Sequence, residues 1–405
     1  VTTLLRSPPD RARVEPVTTA GAVIIGSDYR GLAVVRSLGR RGIPVWVLRH
    51  GDDTLATHSR YAKRSLILEG ESDEQQVAFL MRLGLRYRLD GWTLFPTSNM
   101  TAAMVARHRD RLAEKFTLTT PSWETLRVAY DKRLTYSLAA DFGVAHPRTW
   151  TARDATEAAA LPVAFPVIVK PAVSQLVAAK AWRADNCDEL AARFREAAAR
   201  IDPSLLLIQE LIPGGGEAQF SFAALCDNGT PIASVIARRV RQYPADFGRA
   251  STFVETTNEP RIEAAGRRVV AAMQFSGLVE VEFKHDARDG TDKLLDINPR
   301  VWGWQSLCGR AGVDLPYLAL RLARSQPVER TTAVNGVRWL RLSTDLPMSL
   351  SEILRGKLSA REYLSSFRGP RESAIFARDD PWPGICELPM LIGIVVRRLA
   401  HRRDI

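Results

Sequence analysis

The chain has 405 residues, 46% of them hydrophobic, a formal net charge of +11 and a pI near 9.8. That length predicts two or three domains with real cores, and the positive balance admits nucleic acid, an anionic membrane or an anionic substrate as partner. Only eight of the 56 basic residues are Lys; the arginines are scattered, with no basic stripe interleaved with aromatics, so no nucleic-acid partner is expected.

The four cysteines, Cys187, Cys226, Cys308 and Cys386, form no CxxC pair. Their spacing excludes a zinc module and a disulfide framework, and predicts a reducing, cytoplasmic setting. The sequence holds no apolar run near 18 residues, so no spanning helix is expected.

In chain order, residues 1–20 read as a flexible lead. GAVIIG (21–26) reads as a buried strand, residues 30–41 as a helix ended by Gly42, and IPVWVL (43–48) as a second strand. This βαβ start predicts a parallel sheet. The turn Gly26-Ser-Asp-Tyr-Arg-Gly31 lacks G-x-G-x-x-G spacing and reads as a tight strand-to-helix turn rather than a dinucleotide site. TLFPTSN (93–99) is another strand end entering a helix.

From residue 121 the pattern changes. PSWETLRVAYDKRLTYSLAADFG predicts one or two helices stopped by Gly143. FPVIVKP (165–171) is a short strand with QLVAAKAWRA (175–184) as its partner, followed by a helix over 188–200. LLLIQELIPGG (205–215) is a strand running into a glycine turn, and residues 218–240 carry an Asn-Gly hairpin. A helix is expected over 260–275 and helical structure over 303–325. YPADFGRASTFVET (243–256) reads as a mobile loop whose Gly248, Arg249, Ser251 and Thr252 meet a carboxylate, or as a solvated linker.

The most informative stretch is LVEVEFKHDARDGTDKLLDINPRVWG (278–303). Two apolar strands each carry an acid. Residues i and i+2 of a strand share a face, so Asp296 and Asn298 converge. A hairpin through ARDG brings Glu282 beside them. Two carboxylates and an amide oxygen suit Mg²⁺. Arg300 lies on the same face, placed to stabilise charge on a transferred phosphoryl or acyl group. A plain hairpin with acids at its solvent edge is the competing reading.

With so few lysines, those that remain are better candidates for specific roles. Lys132, Lys170 and Lys180 precede Gln209-Glu210-Leu211-Ile212, then Glu217, then the acid-bearing hairpin. In this order the chain resembles the ATP-grasp superfamily of carboxylate–amine ligases over roughly residues 20–325. V-E-F…L-L-D-I-N-P-R is the most specific part, with V-I-V-K-P and Q-E-L-I in support, and N-P-R-V-W-G is similar to the amino-acid and dipeptide ligases.

The resemblance implies an α/β and α+β architecture, the ATP-grasp fold. Residues 21–120 would be a Rossmann-like pre-domain, 121–205 a small lobe or lid, and 206–330 a large lobe with the metal site. The two lobes would sandwich ATP, and 331–405 would be a C-terminal extension. Lys132, Lys170 and Lys180 would contact ATP phosphates. Gln209, Glu210, Leu211 and Ile212 would form the hinge, with Glu210 and nearby backbone reading the adenine edge and Glu217 taking the ribose hydroxyls. Glu282, Asp296 and Asn298 would hold Mg²⁺ or Mn²⁺, and Arg300, with Lys170, would act at the acyl phosphate.

Two departures stand out. The superfamily often has Glu where Asp296 stands. The segment between Lys170 and Lys180 lacks the glycines that usually cradle phosphates, leaving Ser174 as a substitute donor.

The implied reaction joins a carboxylate, of an amino acid or small metabolite, to an amine through an acyl phosphate, with release of ADP and phosphate. A biotin-carboxylase-like reaction and a non-catalytic nucleotide-binding protein are the alternatives. Small-molecule carboxylate and amine substrates are the expected partners. A homodimer stays open, as does weak membrane-surface contact through the apolar-then-basic residues 388–403.

Overall fold

The computed structural model describes residues 20–51, 53–173, 181–243 and 250–387. Three sheets carry the fold.

The first sheet has strands β1 (Ala22–Ile25), β2 (Val45–Arg49), β3 (Ala62–Ile67), β4 (Trp92–Pro96) and β5 (Phe116–Leu118), in the order β3-β2-β1-β4-β5. All its pairings are parallel. Helices α1 (Tyr29–Gly39), α2 (Asp73–Tyr87), α3 (Asn99–Arg107) and α4 (Arg109–Ala113) connect the strands. β1 is apolar throughout and wholly buried, as a central parallel strand covered on both faces must be. Asp28 caps α1 by accepting from the Arg30 and Gly31 amides. Gly26 makes the turn between them, with φ +125° and no room for a Cβ beside the Thr97 hydroxyl.

Helices α5 (Trp123–Tyr130) and α6 (Lys132–Asp141) lead to the second sheet. It contains β6 (Thr149–Trp150), β7 (Val167–Pro171), β8 (Trp182–Ala184) and β9 (Leu206–Glu210), antiparallel in the order β6-β9-β7-β8. Helices α7 (Ala155–Ala159) and α8 (Cys187–Ala198) accompany it. Leu190 and Phe194 of α8 close a core against Val167, Val169 and Ile208.

The third sheet has seven strands, ordered β14-β13-β10-β11-β12-β15-β16. They are β10 (Gln219–Asp227), β11 (Thr230–Tyr243), β12 (Ala250–Thr256), β13 (Gly277–Asp286), β14 (Thr291–Asn298), β15 (Arg338–Leu340) and β16 (Arg371–Ser373). Asn228 and Gly229, both at positive φ, turn β10 into β11, as an Asn-Gly hairpin requires. Helix α9 (Pro260–Ala272) lies so close to β10 that a Cβ on Gly266 would come within 2.3 Å of the Phe222 ring.

One apolar cluster joins the first and third sheets. It includes Ile24 and Val47 from the first, Leu32 from α1, and Val235, Leu278 and Trp339 from the third, with Trp302, Trp304 and Ile375 beside them. A C-terminal ion pair reinforces this seam. Asp380 is fully buried and accepts from Arg36 Nε at 2.9 Å, Ser59 Oγ at 2.7 Å and the Arg60 amide at 2.9 Å.

The structure corrects two expectations. Residues 250–256 are neither a mobile loop nor a linker but strand β12, paired with β11 and β15. Thr252 is fully buried and donates to Asp345 Oδ1, while Ser251 lines the main cleft. Helical structure over 303–325 divides into α10 (Gln305–Arg310) and α11 (Leu315–Ala323), interrupted at Gly312 with φ +95°. Helices α12 (Leu342–Leu354) and α13 (Ala360–Ser365) complete the described chain. Ser174, Lys180, Gly248, Arg249 and the segment 388–403 lie outside the described residues. No helix among the described residues is long and apolar enough to cross a membrane.

Candidate active site

A cleft of about 820 Å³ separates the four-stranded sheet from the seven-stranded one, and the β1–α1 turn closes one end. The β13–β14 hairpin forms its floor. Glu282 pairs in register with Asp296, and Glu280 with Asn298. Strand alternation puts all four on the same side.

The Asn298 amide nitrogen donates to Glu280 Oε2 and Glu282 Oε1, each at 3.1 Å. Its oxygen accepts from Arg300 Nη2 at 3.0 Å. Two cations balance the acids: Arg239 Nη2 lies 3.1 Å from Glu282 Oε2, and Lys132 Nζ bonds Asp296 Oδ1. Lys132 starts α6 directly after the cap residue Asp131, and its amide bonds the Ala172 carbonyl at 3.0 Å. Among the described residues, no three His, Cys, Asp or Glu side chains gather as a metal-holding group. The Asn298 amide would be the third oxygen donor beside Glu282 and Asp296. The donor set fits a hard cation, provided the amide turns its oxygen toward the carboxylates.

Lys170 ends β7 and is buried. Its Nζ donates to Tyr136 Oη at 2.9 Å and Gln209 Oε1 at 2.6 Å. Burial, reinforced by Lys132 nearby, pushes its pKa down to about 7. Burial raises the Tyr136 phenol to about 12, so it remains neutral. Arg300 is held by Asn99 Oδ1, the Val301 carbonyl and Asn298. Desolvation and then Arg30, in the first turn of α1, bring its pKa down to about 10. Both arginines line the cleft, and the Arg30 guanidinium is bonded to Asp28.

The predicted hinge follows β9. Gln209, Glu210, Leu211 and Ile212 all line the cleft. The Glu210 carboxylate is committed to Lys293 at 2.9 Å, the Arg148 amide at 3.0 Å and Arg288 at 3.2 Å, and the Glu210 amide donates to the Arg148 carbonyl at 3.0 Å. Lys284 Nζ donates to the Ile212 and Gly214 carbonyls at 2.9 and 2.6 Å. Glu217 is exposed and accepts from the Gly215 amide at 2.9 Å; it is not among the residues lining the cleft.

Sequence reasoning missed Glu280. It is 3% exposed and bonded by Ser221 Oγ at 3.0 Å, Trp304 Nε1 at 2.6 Å and the Asn298 amide. Burial and then Glu282 push its pKa up to about 8. Its two-residue spacing from Glu282 in VEVEF was the available signal.

Residues 203–344 match the family described as "ATP-grasp in the biosynthetic pathway with Ter operon". Over that stretch the chain is similar to ATP-grasp proteins. Over 324 residues it is 21% identical to the D-aspartate ligase of Enterococcus faecium (strain Aus0004), covering 75% of this chain and 74% of that one. Over 190 residues it is 27% identical to the carbamoyl phosphate synthase large chain of Haemophilus ducreyi, covering 44% of this chain but only 17% of that one. The crystal structure of an L-amino acid ligase from Bacillus licheniformis superposes with a TM-score of 0.61 at 16% identity, covering 77% and 75% of the two chains. The three sheets thus form the ATP-grasp fold.

Proposed function

We propose that the chain is an ATP- and Mg²⁺-dependent ligase. It would activate a small-molecule carboxylate as an acyl phosphate and pass the acyl group to an amine, releasing ADP and phosphate. One observation carries this reading: Glu282 and Asp296 stand opposite one another on a hairpin, with Lys132, Lys170 and Arg300 in the same cleft. The likeness to D-aspartate ligase and L-amino acid ligase supports an amino acid or small metabolite as the carboxylate.

The acids and the Asn298 amide oxygen would hold Mg²⁺ or Mn²⁺, which when bound supplies charge neutralisation at phosphoryl oxygens. Lys132 and Lys170 face the phosphates. The hinge backbone from Glu210 to Ile212 borders the adenine.

A carboxylate oxygen attacks the γ-phosphorus, the bond to the β-phosphate oxygen breaks, and ADP leaves. Arg300 and Arg30 hold the resulting acyl phosphate. The amine then attacks the acyl carbon, loses a proton, and phosphate leaves. Closure of the four-stranded sheet over the cleft keeps water from the acyl phosphate.

The test is nucleotide chromatography of turnover mixtures containing ATP, Mg²⁺ and amino-acid pairs, with bicarbonate plus biotin as a separate pair. ADP and phosphate in step with amide is the expected result, and hydroxylamine should trap a hydroxamate when the amine is omitted. Stoichiometric AMP and pyrophosphate would overturn the reading. ADP formed only with bicarbonate and biotin would replace it with a carboxylase.

A further inference from the structure

A second cavity, of about 270 Å³, lies at the seam of α1, α10 and β16 and shares no lining residue with the cleft. Four guanidinium groups line it: Arg36, Arg40, Arg41 and Arg310. Asp314 and Glu372 line it too. Arg36 and Arg40 are paired with Asp380 and Asp379, at 2.9 and 2.8 Å, and Arg41 with Asp314. Four cations therefore meet four acids, and the fixed charge is balanced.

Balance does not mean every group is paired. The Arg310 guanidinium has a backbone partner, the Arg371 carbonyl at 3.4 Å, and no acid within ion-pair distance among the described residues. Glu372 likewise has no ion pair among them. Burial pushes its carboxyl up to about 7, against the pull of Arg40, Arg36 and Arg310. Gln305 lines the same cavity, is 1% exposed, and has neither its amide oxygen nor its amide nitrogen hydrogen-bonded. Buried amides without partners are rare and point to a missing ligand or water.

A simple anion would meet Arg310 but face Glu372. A simple cation would meet Glu372 but face the arginines. A nucleotide would need a space closer to that of the cleft. We propose that this cavity is a second small-molecule site, which takes a zwitterion of the α-amino-acid class with its carboxylate on Arg310 and its ammonium on Glu372. Gln305 then supplies the remaining hydrogen bonds.

The site stands independently of the reaction proposed for the cleft, yet it is mechanically close to it. Helix α10 begins at Gln305, the residue after Trp304, whose indole N–H bonds Glu280. A ligand on Gln305 is thus one residue from the cleft wall.

Isothermal titration of the full chain with each of the twenty standard L-amino acids tests the proposal, with inorganic phosphate and ammonium chloride as single-charge probes. At least one amino acid should bind. Arg310→Gln and Glu372→Gln should each weaken it by about tenfold or more, whereas the cleft variant Arg300→Ala should leave its affinity unchanged. Arg310 is exposed, so its variant should melt like the parent, and Arg310→Lys should retain part of the binding. Loss of binding in Arg300→Ala alone would assign the amino acid to the cleft and overturn the proposal. No binding by any amino acid, or phosphate binding as tightly as the amino acid, would overturn it too.

Discussion

At the residue scale, Lys170 is a buried ammonium with no carboxylate within ion-pair distance among the described residues. Its folded pKa, about 7, lies below its ordinary value. Between those two values the unfolded chain binds more protons, so this group's contribution to stability rises with pH through the window and falls as the folded chain is forced to charge it near pH 7. A triphosphate favours the charged form. Nucleotide binding at pH 8 should therefore take up a proton, read as a calorimetric heat that varies with the buffer's ionisation enthalpy, and affinity should decline from pH 7 to 9. Lys170→Met should abolish the uptake. Glu282→Gln and Asp296→Asn should each lower turnover by about 100-fold or more while keeping a cooperative melt, checked by coupled ADP release across a Mg²⁺ titration. Glu282, Asp296, Asn298 and Arg300 could be gathered from sequence because a two-residue period and one tight turn fix their shared side. Arg239, which bonds Glu282, and Tyr136, which bonds Lys170, could not, since each comes from an element distant in the chain.

At the element scale, Gly277 opens β13 with φ +112°, and a Cβ there would lie 2.3 Å from the Thr119 carbonyl. Gly277→Ala should cost about 1–3 kcal/mol, measured by urea unfolding. The paired hairpins and most helices were readable from periodicity and turn residues. β12 was not: Phe253 and Val254 are adjacent and both buried, so a strand covered on both faces shows no alternation, and the Pro, Asp and Gly before it signal a turn. The break between α10 and α11 was hidden because the apolar pattern continues on both sides of Gly312, from Leu307 and Cys308 to Leu315 and Leu318.

At the scale of the whole molecule, the Arg36–Asp380 pair ties residues 344 positions apart, a link no local pattern announces. Asp380→Ala would strand Arg36 without its acid and remove the partner of Ser59. Stability should drop by about 3–5 kcal/mol in urea unfolding, with the KM for ATP unchanged where the chain remains folded. The β13–β14 hairpin has its own long reach. One end carries Glu282, Asp296 and Asn298; the other carries Lys284, which grips the Ile212 and Gly214 carbonyls after β9, and Lys293, which grips the Glu210 side chain at the end of β9. Under the proposed reading, base and terminal phosphate are then measured against one rigid gauge. On that reading a diphosphate seated by its base would fall short of the far mark, and a spent nucleotide would differ from a fresh one by length rather than by charge.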